Sequence, residues 1–198
     1  IGPDGIAEAK KALGLDPSKD FFVAPEAYEW CASRRSELAA LEAEWNKTFK
    51  EWSARYPDKR ALWDASRASG GVDPAALNKA VLPEFRQGEN IATRTASNTV
   101  LNAFASVVPT LVGGSADLQG PNAVAIKGAV PYSPEARDGR YIHYGVREFA
   151  MAAITNGIQV HGGYRAFCAT FLIFSDYLRP ALRLSALMNV PAIYVLTH

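Results

Sequence analysis

Residues 140–198 alternate, run by run, between two hydrophobic periods, and that alternation narrows the possible folds more than any other feature of the chain. Residues 140–143 form a short β-type run. Over 146–160, Phe149, Ala150, Ala153, Ile154, Gly157 and Ile158 recur at the three-and-four spacing of one helix face. Gly162 and Gly163 end that helix, 165–170 returns as a strand, 174–188 makes a second amphipathic helix, and 192–196 closes as an apolar strand. Strand, helix, strand, helix, strand in this order predicts an α/β fold: a parallel sheet flanked by helices, with ligands beyond the carboxyl ends of its strands. Arg147 and Glu148 fall at the first strand-to-helix junction. On spacing alone, Glu148 reads either as a helix-start carboxylate stabilised by the dipole or as a chemical group.

The preceding residues read as a helical arm. A short helix within 1–15 carries Ile6, Ala9 and Leu13, and an extended connector through Asp16-Pro17 leads to Pro25, which suits the first position of a long helix reaching about Arg55. Trp30, Leu38, Leu41, Trp45, Phe49 and Trp52 form its apolar stripe, and at that spacing the tryptophans read as packing anchors rather than a ligand box. Tyr56-Pro57-Asp58 breaks the helix, a shorter one runs to about Ala68, Gly70-Gly71 turns the chain, and Asp73-Pro74 caps a brief helix up to Ala80. A helix from Glu89 carries Ala92, Ala96, Val100, Ala103, Phe104 and Val107, and Pro109 leads into a strand at 110–112. The run Gly113-Gly114-Ser115-Ala116-Asp117-Leu118 reads as a tight turn or a phosphate cradle. Residues 119–139 lack periodicity, and a loop of that length tends to be functional or mobile.

A formal net charge of +1, with no uncompensated basic block, argues against a nucleic-acid partner. Charged residues interrupt every apolar run short of a membrane span, and residues 1–30 lack a signal-peptide layout, so no membrane partner and a cytoplasmic location are expected. Cys31 and Cys168 lie far apart, and both read as buried thiols rather than a disulfide or metal pair.

Gly145-Val146-Arg147-Glu148 with Ala150-Met151 following, then Asn156-Gly157-Ile158, His161-Gly162-Gly163, Ala169-Thr170-Phe171, the run 174–188 and the closing residues 193–198 stand in an order that resembles the pyrimidine-binding domain of transketolases. Upstream, residues 113–118 and Ala92-Thr93-Arg94 also match. The resemblance implies a thiamine diphosphate-binding fold, with residues 1–85 a helical linker from the end of the diphosphate-binding domain and 86–198 the N-terminal part of the pyrimidine-binding domain. It implies transfer of a two-carbon ketol unit from a ketose phosphate to an aldose phosphate, sugar phosphates as substrates, and a homodimer with the cofactor between subunits.

By the same resemblance, Glu148 is the catalytic and cofactor-binding carboxylate: it bonds a ring nitrogen of the aminopyrimidine and favours the imino form that takes up the thiazolium proton. Phe171, Phe174 and Tyr177 surround the aminopyrimidine, and Asp117 lies near the cofactor and the subunit interface. Arg94 and His198 bind the substrate's phosphate end, where a guanidinium fork suits a dianion. Two positions depart from the pattern: Phe149 stands where the family has His, and Pro121 where it has a phosphate-contacting Ser. The Gly-Asp-Gly run that binds diphosphate and magnesium or calcium does not occur in these residues, so the chain itself carries no metal ligands and is expected to be an inactive piece holding half of a cofactor site. A dihydroxyacetone synthase, a deoxyxylulose phosphate synthase and a non-catalytic module of the same fold remain open alternatives.

Overall fold

A computed structural model describes residues 2–68 and 72–198. The Gly70-Gly71 turn lies outside them. The chain divides into two compact units, Ile1–Tyr56 and Pro57–His198.

The first unit is helical. Helix α1 (Pro3–Ala12) has Lys10 near its end, and the Lys10 ammonium donates to the Asp20 carboxylate at 2.9 Å and to the Lys19 carbonyl at 2.8 Å. Helix α2 (Pro25–Arg55) begins on Pro25, whose missing N–H costs nothing in a first turn. Its stripe does not form a core, contrary to the sequence expectation. No residue of α2 is buried, and Trp30 and Trp45 are 65% and 55% exposed. The aromatics instead stack on one another along the helix: Trp45 on Phe49 at 4.9 Å and Phe49 on Trp52 at 5.6 Å between ring centres. Helical spacing brings i, i+3 and i+4 side chains together whether or not a second element covers them.

The second unit holds the sheet. Helices α3 (Pro57–Ala68) and α4 (Pro74–Leu77) precede α5 (Thr93–Val107), β1 (Leu111–Ser115), α6 (Gln119–Asn122), β2 (Tyr141–His143), α7 (Glu148–His161), β3 (Arg165–Phe171), a 3₁₀ turn at Leu172–Phe174, α8 (Ser175–Leu187) and β4 (Ile193–Thr197). The strands run parallel in the order β2-β1-β3-β4. Strand β3 is buried on both faces, which is why it reads Ala-Phe-Cys-Ala-Thr without polar alternation. Because side chains alternate along a strand, Phe167 and Ala169 enter one core with Ala105, Leu111, Val124 and Ile126, while Cys168 enters another with Met151, Ala152, Leu178 and Ala181. One core therefore packs with α5 and the 124–126 loop, and the other with α7 and α8.

Three local expectations change. Helix α5 starts at Thr93 rather than Glu89, because Ala92 is an extended N-cap. Strand β1 continues through Gly113 and Gly114, so the glycine pair is neither turn nor cradle. Added Cβ atoms there would overlap the Phe167 and Ile142 carbonyl oxygens, so these glycines permit the close approach of β1 to its neighbours. The 119–139 segment is fastened down: Val124 and Ile126 are in the core, Asn98 and Asn102 both donate to the Ala125 carbonyl, and Asn102 accepts from the Lys127 N–H at 2.8 Å. Cys168 is buried as expected, whereas Cys31 is exposed; both are free.

Candidate functional site

The carboxyl ends of the parallel strands bring several of the expected residues to one end of the sheet. Phe171 ends β3, Phe174 ends the 3₁₀ turn and Tyr177 lies in the first turn of α8. Their rings form a row, Phe171 on Phe174 at 6.0 Å and Phe174 on Tyr177 at 6.1 Å, with interplanar angles of 8° and 27°. The His198 ring closes on Phe171 at 4.4 Å, and its Nε2 lies 2.7 Å from an Arg94 guanidinium nitrogen. Arg94 is the second residue of α5, so its cation sits at the positive end of a helix dipole, a placement that costs energy unless an anion joins it. Arg94, His198, Phe171, Phe174 and Tyr177 are thus contiguous although up to 104 positions separate them.

Glu148 opens α7 beyond β2, and the turn before it depends on Gly145, whose φ of +69° few other residues adopt. The residue is 8% exposed; among the described residues no hydrogen bond or ion pair engages its carboxylate, whose oxygens keep some contact with solvent. Asp117, exposed and at φ +61°, lines a cavity of about 440 Å³ with Ser115, Gly120, His143, Tyr144 and Arg147. Among the described residues no hydrogen bond or ion pair joins Glu148 or Asp117 to the aromatic row.

Burial pushes the Tyr141 and Tyr144 phenols up to about 12, and a hydrogen bond from Tyr144 to Thr155 opposes the shift only in part. Both cavity-lining phenols therefore keep their protons at neutral pH and can donate hydrogen bonds. No group of three or more His, Cys, Asp or Glu side chains able to hold a metal occurs among the described residues.

Three polar residues at this end of the sheet escape sequence reasoning: Ser115, Asn122 and Thr197, which hydrogen-bond one another through Asn122. Their spacing carries no signal, since α6, which places Asn122, is a single turn inside an aperiodic segment.

Comparison with known proteins follows the same residues. The pyrimidine-binding domain model of transketolases matches residues 89–198, and the thiamine diphosphate-binding domain model of transketolases matches 1–72. The parallel sheet with helices on its faces is the thiamine diphosphate-binding fold. The chain is 58% identical to a transketolase of Treponema pallidum over all its 198 residues, which are 30% of that protein, and 44% identical to one of Geobacillus stearothermophilus over 99% of the chain and 30% of that protein. Among solved structures, a Pichia stipitis transketolase complexed with sedoheptulose 7-phosphate superposes with a TM-score of 0.79 at 36% identity, and one from Leishmania mexicana with 0.81 at 34%; the whole chain is covered, against 30% and 29% of theirs. The chain belongs to the transketolase family. It spans about 30% of the length of the curated relatives it matches.

Proposed function

We propose that this chain supplies the aminopyrimidine half of a thiamine diphosphate site in an enzyme that moves a two-carbon ketol unit from a ketose phosphate to an aldose phosphate. The observation that carries the reading is Glu148: a residue 8% exposed, at a helix start beyond a strand end, whose carboxylate has no protein partner among the described residues and keeps its oxygens open to the surface. Open to the surface and free of protein donors, these oxygens can accept a hydrogen bond from a ligand. An aminopyrimidine nitrogen fits that role, and the Phe171, Phe174 and Tyr177 row offers flat faces for the ring. When bound, the cofactor supplies the electron sink that lets the carbon–carbon bond of a ketose break. Glu148 holds the proton shared with the pyrimidine ring. The aromatic row excludes water from it, and Arg94 with His198 receives the phosphate end of the sugar. Asp117 borders the cofactor from across the cavity.

The domain boundaries follow: residues 1–85 are a linker from the diphosphate-binding domain and 86–198 the start of the pyrimidine-binding domain. In this reading magnesium or calcium is held by the diphosphate-binding half of the enzyme, and these residues alone do not carry out group transfer. The active enzyme is a homodimer paired through α7, whose outer face presents Phe149, Ala153, Gly157 and Val160. Ala152 lies on the opposite face, fully buried beside Met151. Sugar phosphate chemistry places the enzyme in the pentose phosphate pathway. Free Cys31 and Cys168, with no described helix long and apolar enough to cross a membrane, suit the cytoplasm.

The test is Glu148→Gln in the full-length enzyme. The amide keeps the shape but cannot share the proton, so turnover falls by about two orders of magnitude or more. Exchange of the thiazolium proton, followed by NMR, slows with it. Phe149→His changes activity little, because it only restores the residue the family has at that position, beside a carboxylate that is already in place. Fast exchange in Glu148→Gln equal to wild type would move the activating role elsewhere.

A further inference from the structure

His198 is tied to the interior of the sheet through three side chains. Its Nδ1 lies 3.0 Å from the Thr197 hydroxyl, which donates to Asn122 Oδ1 at 2.5 Å; Asn122 Nδ2 donates to Ser115 Oγ at 2.7 Å, and Ser115 donates to the Ala169 carbonyl at 3.1 Å. Asn122 and Ser115 are 1% and 2% exposed, so water does not substitute for a missing partner.

Both ends impose the same direction on this relay. At the outer end the Arg94 guanidinium can only donate, so the His198 Nε2 that faces it at 2.7 Å presents a lone pair, and the proton of the neutral ring is on Nδ1. Thr197 then accepts from Nδ1 and has its own proton free for Asn122. At the inner end the Ala169 carbonyl can only accept and the Leu118 N–H, 3.2 Å from Ser115 Oγ, can only donate. Ser115 therefore gives its proton to Ala169 and accepts from the Asn122 amide nitrogen, which turns Asn122 Oδ1 toward Thr197. Reversing the relay would set two donors face to face at Arg94, and would leave Ser115 one proton for two acceptor oxygens.

We propose that Ser115, Asn122 and Thr197 are positioning residues that hold His198 as its Nδ1–H tautomer, with the Nε2 lone pair aimed at Arg94. The relay excludes the Nε2–H tautomer, and it fixes the ring plane that packs on Phe171. Its consequence for catalysis rests on the phosphate-binding reading of Arg94 and His198: the interior of the sheet sets the orientation in which this pair meets the sugar phosphate.

The experiment uses the full-length protein labelled with ¹⁵N-histidine, the His198 ring signals being assigned by their loss in His198→Gln. At a pH where the ring is neutral, wild type is expected to show a protonated Nδ1 and an unprotonated Nε2. In an Arg94→Met background, which removes the donor facing Nε2, the ring is expected to keep its Nδ1–H population; adding Thr197→Val, which keeps the side-chain shape without the hydroxyl, is expected to shift it toward Nε2–H, and Thr197→Ser in its place to restore the pattern. Loss of the relay is also expected to raise KM for a phosphorylated ketose about tenfold relative to an unphosphorylated one, the scale of one well-made hydrogen bond. A wild-type ring protonated on Nε2, or an Arg94→Met/Thr197→Val ring that keeps its Nδ1–H population, overturns the relay. His198→Ala with no change in that KM ratio overturns the phosphate reading instead, so the two failures are distinguishable.

Discussion

At Gly114 in β1 a single hydrogen atom stands where any side chain would meet the backbone of β2, since a Cβ there would overlap the Ile142 carbonyl oxygen. Backbone atoms held in a ladder cannot rotate aside as a flexible side chain can. Gly114→Ala is therefore expected to destabilise the second unit by about 1–3 kcal/mol or more. Gly120→Ala, where nothing lies within 4 Å, serves as the control and changes denaturant midpoints little. Equal midpoints in the two variants would mean that β2 is free to move away. The cysteines separate in the same way. Burial pushes the Cys168 thiol up to about 11, while Cys31 is exposed, so a thiol reagent at neutral pH is expected to modify Cys31 alone until the chain unfolds. Mass spectrometry of the native adduct checks it. Sequence alone could not locate these properties, because close approach and burial are set by residues 28 positions away at Ile142 and by helices α7 and α8.

Among the elements, α7 shows what periodicity can and cannot report. Its three-and-four spacing fixes a helix over nearly the observed span, yet the helix has two apolar faces, and spacing does not say which one enters the core. Met151, Ala152 and Thr155 are fully buried, while Val146 just before the helix and Phe149, Ile154 and Val160 within it are 75%, 51%, 46% and 61% exposed. Gly157 sits on the outer face, with no atom within 4 Å of the place an alanine methyl would take. In solvent, Gly157→Ala would stabilise a helix by about 0.5–1 kcal/mol. In a two-fold contact through this face the added methyl would instead crowd the partner helix. The full-length Gly157→Ala protein is expected to dimerise more weakly than wild type in sedimentation equilibrium. Unchanged or tighter association would remove α7 from the proposed dimer interface. The aromatic row and Glu148 enter the sequence reading only through the family resemblance, which short motifs can carry because these residues lie next to strand ends in sequence as well as in space. Ser115, Asn122 and Thr197 do not enter it, because they meet only after the sheet assembles.

For the whole chain, the order of strands and helices in 140–198 was enough to imply the parallel sheet, because crossover connections leave few other arrangements. The arm was harder to read: α2 has the stripe of a core helix but no buried residue, and a stripe specifies an apolar surface without specifying what covers it. Stability of the sheet unit should carry its own pH signature. Tyr141 and Tyr144 rise from 10.0 to about 12 and Cys168 from 9.0 to about 11, in each case chiefly because burial disfavours the anion. Raised values mean that the folded chain holds these protons more tightly than the unfolded one. The stabilisation they reflect is complete below pH 9, where all three are protonated in both states. It declines once the unfolded groups ionise, and it is lost as pH rises through about 11 for the thiol and about 12 for the phenols. Denaturant unfolding followed by circular dichroism between pH 8 and pH 12 is expected to show stability falling most steeply above pH 10. Removing both hydroxyls in the Tyr141→Phe/Tyr144→Phe double variant also changes absolute stability through packing and hydrogen bonding, so the slope is the decisive quantity: it becomes shallower over that range. An alkaline slope identical to that of wild type would show that the two buried phenols do not govern it.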